Sequence, residues 1–130
     1  MTGLVVPALV YVLASFAIAY PWHLKVFAAR YRALEMYRDE VLPQLGLSSM
    51  VIQGVCFAMI YRALFEPMQG GWLIRAAAYG AFGAVLSWSF TTLAAAAKNR
   101  MTSIRDFVTL ETAFTLVQWI VVAAVTVTLA

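Results

Sequence analysis

Four long apolar stretches, separated by short polar connections, occupy most of this chain of 130 residues. Hydrophobic residues make up 64% of the sequence and charged residues 12%, whereas soluble domains average about 45–50% and about 25%. A soluble fold of this size could not bury so much apolar surface. Stretches of roughly 20 apolar residues match the hydrocarbon core of a bilayer, in which the backbone must satisfy its own hydrogen bonds. The sequence therefore predicts an all-α integral membrane protein.

The predicted membrane spans follow the apolar stretches, at about residues 3–20, 46–65, 72–96 and 107–129. We expect them to form one transmembrane domain over 1–130, an antiparallel four-helix bundle. The first stretch could instead be a cleaved leader, but a secretory leader has a basic region before its apolar run, and this chain has none there. We interpret the first stretch as a retained helix.

The distribution of Lys and Arg predicts how the spans are oriented, because short loops rich in these residues stay in the cytoplasm. Arg62 and Arg75 lie in or near the connection between the second and third spans. The other seven lie in the connections after the first and third spans: Lys25, Arg30, Arg32, Arg38, Lys98, Arg100 and Arg105. Both termini are therefore predicted to face away from the cytoplasm, in a bacterial inner membrane.

The segment over about 23–41 is too charged to span a membrane but has helical periodicity. Its apolar residues recur at spacings of three, four or seven, at Leu24, Phe27, Tyr31, Leu34 and Val41. Its charged residues occupy another side, at Lys25, Arg32, Glu35 and Asp39. This pattern predicts an amphipathic interfacial helix between the first two spans, whose basic residues favour an anionic leaflet. It would serve as an anchor or, alternatively, as a lid over a pocket that faces the cytoplasm.

The fourth span carries a polar face that an isolated helix in lipid would not tolerate. Glu111, Thr115 and Gln118 follow one another at spacings of four and three, which places them on one side of a helix. A charge at the centre of a membrane helix costs about 2.5–3.5 kcal/mol by insertion measurements, so this face should point towards other helices. Glu111 is either functional or paired with Arg105 near the membrane interface.

Polar residues at comparable depths on other spans extend this hypothesis. Gln53 lies on the second span, and Ser87 and Thr91 share one face of the third. Together with Glu111, Thr115 and Gln118 they would line a ligand-binding pocket in the cytoplasmic half of the bundle. The alternative is that amide and hydroxyl groups only hydrogen-bond between helices or to their own backbone.

Other features bear on partners and cofactors. Ala76, Gly80 and Ala84 form a small-residue surface on the third span, which suits close packing within the bundle, in a homo-oligomer or against another membrane protein. The chain has one histidine, His23, and one cysteine, Cys56, so we expect no metal site and no cofactor. No common catalytic motif and no pattern typical of nucleic-acid binding is present.

The run GAFGAVLSWSFTTLAAAAK from Gly80 to Lys98, the stretch TSIRDFVTLETAF and the order of spans resemble a family of small, uncharacterised bacterial four-helix integral membrane proteins. The resemblance implies an acidic residue early in the last helix, and Glu111 matches that position. The third helix of that family tends to carry an Asp and an Asn, where this chain has Ser89, Thr91 and Thr92. The resemblance implies a fold and no activity.

Three classes of function follow from the sequence. The first is a non-enzymatic bundle that binds or moves a small solute, a proton or a lipid through the pocket around Glu111. The second is an accessory or assembly subunit of a larger membrane complex. The third is a minimal membrane enzyme that uses Glu111 as an acid or base, which we disfavour because no second catalytic group accompanies it.

Overall fold

The computed structural model describes residues 2–130, in which contiguous helical segments form five helices and no strand is present. Their α-helical parts are Thr2–Pro21 in α1, Ala28–Ala33 in α2, Pro43–Ile60 in α3, Trp72–Ser87 and Ala94–Lys98 in α4, and Ile104–Leu129 in α5. Helices α1, α3, α4 and α5 are long and apolar enough to cross a membrane. The predicted all-α class is confirmed, and each predicted span lies within one of these four helices.

Three of the long helices contain a π-helical segment, in which the turn is wider than in an α-helix. These segments end α1 and α3 and join the two parts of α4, at Trp22–Val26, Tyr61–Phe65 and Trp88–Leu93. The amide of Phe27 donates to the carbonyl of Trp22 at 3.1 Å, and that of Glu66 to the carbonyl of Tyr61 at 2.8 Å. Each bond reaches five residues back, one more than in an α-helix.

The single helix predicted over 23–41 is not confirmed. A π turn carries α1 as far as Val26, a bend at Phe27 follows, and α2 then covers only Ala28–Ala33. Glu35 has a φ of 56°, in the left-handed region that residues with a Cβ rarely adopt, so the helix cannot continue through it. The chain beyond Glu35 is irregular until α3 begins.

The long helices pack as neighbours around α1 and α5. Helix α1 contacts both α3 and α5, and α4 packs against α5. Contacts between Ser15 and Gln118 and between His23 and Glu111 show that α1 and α5 run in opposite directions. Helices α1 and α3 approach closely at Gly54, where an added Cβ would lie 3.0 Å from a backbone oxygen of α1.

Aromatic rings fill the centre of this packing. Tyr11 from α1, Phe57 from α3, Tyr79 from α4 and Trp119 from α5 are all buried and belong to one cluster. The Trp119 ring lies 4.6 Å from that of Phe57 and 5.4 Å from that of Tyr79, both edge-on, which is a favourable arrangement for aromatic pairs. The rings therefore tie all four long helices together.

A second apolar cluster lies at the end of the bundle where α1 ends and α5 begins. We call this end of the bundle the α2 end. Tyr31 and Leu34 bury their side chains there against the first turns of α5. The Thr102 hydroxyl donates to the carbonyl of Ala33 at 2.6 Å, and the Thr102 amide to that of Leu34 at 3.0 Å. These bonds satisfy the last carbonyls of α2 and hold the short helix over the start of α5.

Candidate functional site

The carboxylate of Glu111 is bound by two side chains from other parts of the chain. Glu111 lies seven residues after the first residue of α5, hence about 10 Å along its axis. Its Oε1 atom lies 3.0 Å from Nε2 of His23 and accepts the hydroxyl of Tyr31 at 2.6 Å. The side chains of His23 and Glu111 are 26% and 13% exposed. The site is therefore largely covered but still in contact with its surroundings.

The orientation of the His23 ring determines where a proton must lie. Its Nδ1 atom is 3.0 Å from the carbonyl oxygen of Ala19, which can only accept a hydrogen bond, so Nδ1 carries the hydrogen. Its Nε2 atom then faces Oε1 of Glu111, another acceptor unless the carboxyl group is protonated. The contact is favourable only when a proton lies between these two atoms, on either the imidazole or the carboxyl group.

Tyr31 is the second hydrogen-bond partner of the Glu111 carboxylate, and a hydrogen bond from Trp22 fixes its own position. The indole nitrogen of Trp22 donates to the Tyr31 hydroxyl at 3.0 Å, so the phenol accepts one hydrogen bond and donates another. Burial, followed by the neighbouring Glu111 carboxylate, raises the pKa of Tyr31 above its usual range. The phenol therefore keeps its proton and stays a hydrogen-bond donor to Glu111.

Aromatic rings enclose the pair. The His23 ring lies 4.5 Å from that of Tyr31 and 4.8 Å from that of Phe114, the latter edge-on. Trp22 packs beside them, 4.6 Å from Phe27 and 6.0 Å from Phe114. Rings of this kind exclude water and lower the local dielectric constant, which strengthens the hydrogen bonds within the site.

The alternative ion pair between Glu111 and Arg105 is wrong. Arg105 is exposed, and within residues 2–130 the salt bridges join His23 to Glu111 and Arg62 to Glu66. Glu111 is paired instead with the imidazole of His23, at the end of α1.

The two glutamines predicted for the pocket make separate contacts. Gln118 is buried, and its amide donates to the hydroxyl of Ser15 at 2.7 Å. Gln53 accepts the hydroxyl of Tyr11 at 2.5 Å and donates to Ser49 at 2.7 Å. The bonds from Gln118 to Ser15 and from Tyr11 to Gln53 join neighbouring helices, as polar residues of membrane helices commonly do, whereas the bond from Gln53 to Ser49 lies within α3.

Within the described residues, the three hydroxyl residues make no hydrogen bond to Glu111. Ser87 accepts the indole N–H of Trp119 at 2.9 Å, and Thr91 is exposed and donates to the carbonyl of Ser87 at 2.7 Å. Thr115 is buried and borders a cleft between α4 and α5. The structure therefore distributes the six predicted residues over several contacts and not around one pocket. Their role in binding a ligand stays a prediction.

The sequence interpretation missed His23 and Tyr31 as partners of Glu111. The sequence analysis weighs His23 only as a metal or cofactor ligand, and Tyr31 only as part of an apolar face. A signal was present, because Tyr11, Ser15 and His23 follow spacings of four and eight and so share one face of α1. In an antiparallel pair, a histidine near the end of one helix meets a residue near the start of the other.

Two clefts in the fold lie away from this site. The two best-formed clefts have volumes of about 330 and 230 Å³ and are both apolar, and neither is lined by His23 or Glu111. The larger one runs between α4 and α5 and includes Ala76, Gly80 and Ala84. Among the described residues, no group of three or more His, Cys, Asp and Glu side chains could hold a metal ion.

Comparison with known proteins gives no match to this chain, whether to a protein-family model, a curated protein or a solved structure. The resemblance to small bacterial four-helix membrane proteins therefore stays a prediction.

Proposed function

We propose that this is a non-enzymatic, multi-pass membrane protein that binds and releases a proton at the His23–Glu111 pair. The observation that carries the proposal is the 3.0 Å contact between Nε2 of His23 and Oε1 of Glu111. Both atoms are hydrogen-bond acceptors when neither carries a proton, so they would repel each other without a proton between them. In our proposal the pair lies at the cytoplasmic face of a bacterial inner membrane, since the basic connections lie at the same end.

A proton fits the site better than a larger ligand for two reasons. Rings of Tyr31 and Phe114 lie against the His23 ring, and neither of the two clefts described above is lined by His23 or Glu111. A proton needs only a chain of water molecules to reach the exposed quarter of His23. Of the three ligand classes that the sequence left open, we therefore favour the proton.

Helix α2 is the element that would control access to the pair. Its Tyr31 side chain covers Glu111 and donates to it, and the hydrogen bonds from Thr102 hold the helix in this position. Displacing α2 would expose the carboxyl group to water and remove one of its two ligands. In this proposal α2 is the lid that the sequence suggested as one role of the segment over 23–41. Opening and closing the lid involves no catalytic step.

The proposal is tested by NMR titration of the purified protein in lipid nanodiscs. His23 is the only histidine, so its imidazole gives a single set of nitrogen signals. With ¹³C-labelled glutamate, the His23 and Glu111 signals should change over the same pH interval, because the two groups share one proton. In a Glu111→Gln variant the histidine transition should move, whereas Glu66→Gln at the far end of α3 should leave it in place. Independent transitions, or a histidine transition unaffected by Glu111→Gln, would refute the proposal.

A second candidate function, an accessory subunit of a membrane complex, is favoured by the larger cleft. This groove between α4 and α5 is lined mainly by alanine and glycine, and such surfaces allow a further helix to approach closely. Replacing the groove residue Ala81 with leucine should release a partner that co-purifies in mild detergent. Ala97→Leu, an exposed alanine of α4 outside the groove, is the matched control. A protein that always purifies alone would count against this role.

A further inference from the structure

The α2 end carries a basic surface that the His23–Glu111 pair does not use. All seven Lys and Arg side chains at this end are exposed. Four of them lie around α2, at Lys25, Arg30, Arg32 and Arg38, and three lie around the connection before α5, at Lys98, Arg100 and Arg105. The hydrogen bonds from Thr102 to the last carbonyls of α2 bring these two groups together. The seven cations therefore lie at one end of the fold, and we call them the basic surface.

The cations of the basic surface form no ion pair among the described residues, although Lys25 lies over the Tyr20 ring at 5.9 Å. Carboxylates are present in the same segments, at Glu35, Asp39, Glu40 and Asp106. Yet in the described range 2–130, none of the seven basic side chains lies within 4.0 Å of a carboxylate oxygen. Their hydrogen-bonding groups are therefore free to bind a ligand from outside the chain.

Helix α2 carries two of these cations, Arg30 and Arg32, on either side of its buried face. Tyr31 and Leu34 are only 4% and 1% exposed, because they pack onto α5 and onto the Glu111 site. Arg30 and Arg32 flank Tyr31 in the sequence and are both exposed. A ligand bound to either arginine would contact the same short helix that covers Glu111.

We propose that the basic surface binds the headgroups of anionic phospholipids. Guanidinium groups bind phosphate oxygens through two parallel hydrogen bonds, and the surface lies at the end of four helices that are long enough to cross a bilayer, where headgroups are found. An acidic soluble protein is less favoured, because the headgroups are already next to the surface. Near an anionic leaflet, each basic residue contributes about a fivefold preference for anionic over neutral lipid.

The test is native mass spectrometry of the purified protein, titrated with an equimolar mixture of phosphatidylglycerol and phosphatidylcholine of the same chain length. The wild type should retain phosphatidylglycerol preferentially. Arg30→Gln/Arg32→Gln should reduce this preference about 25-fold, which is a factor of about five for each arginine. Arg30→Lys/Arg32→Lys should keep most of it. The control is Arg62→Gln, at an exposed arginine of α3 that is already paired with Glu66; it should change nothing.

A second measurement tests the effect on α2. Amide hydrogen exchange over Ala28–Ala33 should be slower in nanodiscs that contain phosphatidylglycerol than in nanodiscs of phosphatidylcholine alone, and the double glutamine variant should remove this difference. Equal retention of the two lipids by the wild type would overturn the proposal and favour a soluble acidic partner. An equal loss of preference in Arg62→Gln would overturn it as well, because the effect would then be one of overall charge.

Discussion

Replacing Tyr31 with phenylalanine removes one oxygen atom and with it two hydrogen bonds of the candidate site. The lost bonds are the 2.6 Å donation to Glu111 and the 3.0 Å bond accepted from Trp22. A hydrogen bond to a charged group contributes about 1.5–3 kcal/mol, and the ring of Tyr31 stays in place, so apolar packing changes little. We therefore expect Tyr31→Phe to lower the free energy of unfolding by about 1.5–3 kcal/mol.

The assay is reversible unfolding by sodium dodecyl sulfate in mixed micelles, followed by circular dichroism. Tyr37→Phe is the matched control, because Tyr37 is 49% exposed and makes no side-chain hydrogen bond within residues 2–130. It should change the stability by no more than about 0.5 kcal/mol. A double-mutant cycle with Glu111→Gln should give a coupling energy of about 1 kcal/mol or more, since the two groups touch. A coupling near zero, or equal effects of the two tyrosine variants, would refute the reasoning.

The same variant has a signature at alkaline pH. The pKa of Tyr31 is raised in the folded protein by burial and by Glu111, so the folded state holds the phenolic proton more tightly than the unfolded state does. The stability that this provides is fully present below the unfolded value of about 10 and is lost as the pH rises above it. Tyr31→Phe should therefore make the alkaline decline in stability less steep. An unchanged slope would show that the phenol does not titrate with unfolding.

Three further predictions follow, all measured by the same unfolding assay. Tyr61→Phe and Thr126→Val should be neutral or stabilising, because both hydroxyls are buried without a hydrogen-bond partner among the described residues; a loss above about 1 kcal/mol would show that they have one. Gly83→Ala should cost about 1–3 kcal/mol, since its Cβ would overlap an indole ring of α5, whereas Gly46→Ala meets nothing within 4 Å and should cost nothing. Ser103→Ala should cost about 0.5–2 kcal/mol, because this serine caps the first turn of α5; no loss would exclude the cap.

The helical class and the long helices could be predicted because hydrophobicity alone determines them. A run of about 20 apolar residues has few alternatives to a membrane-spanning helix. The ends of the helices were less predictable. The segment after His23 kept its helical periodicity as far as Val41, yet the backbone turns left-handed at Glu35, a residue type that gives no warning of this.

The candidate site was predictable in one of its members and not in the others. Glu111 stood out because a carboxylate in lipid is costly wherever it lies. Its partners depended on how the helices pair, and a single sequence does not specify which helix lies next to α5. Arg105 was close in the chain and carried the right charge, but it lies on the exposed side of α5. His23, which lies 88 residues away, meets the carboxylate because α1 packs against α5.

For the hydroxyl residues, the shared helix face could be predicted from spacing, but the hydrogen-bond partners could not. Ser87 and Thr91 share a face by spacing, but Thr91 turns its hydroxyl to the carbonyl of Ser87 and not to a neighbouring helix. Threonine has this option wherever a carbonyl lies one turn back, and spacing does not reveal which option it takes.

The π turn at the end of α1 makes the site sensitive to chain length as well as to composition. A turn of this kind holds one residue more than an α-helical turn, so everything after Val26 is rotated by roughly 100° relative to an uninterrupted α-helix. Deleting Lys25, whose exposed side chain makes no hydrogen bond within residues 2–130 and lies 5.9 Å from the Tyr20 ring, would allow the turn to tighten into an α-helix. It would also swing α2 to another side of the bundle and carry Tyr31 away from Glu111. Deleting one residue would thus separate the Glu111 carboxylate from Tyr31, although His23 and Glu111 would both still be present.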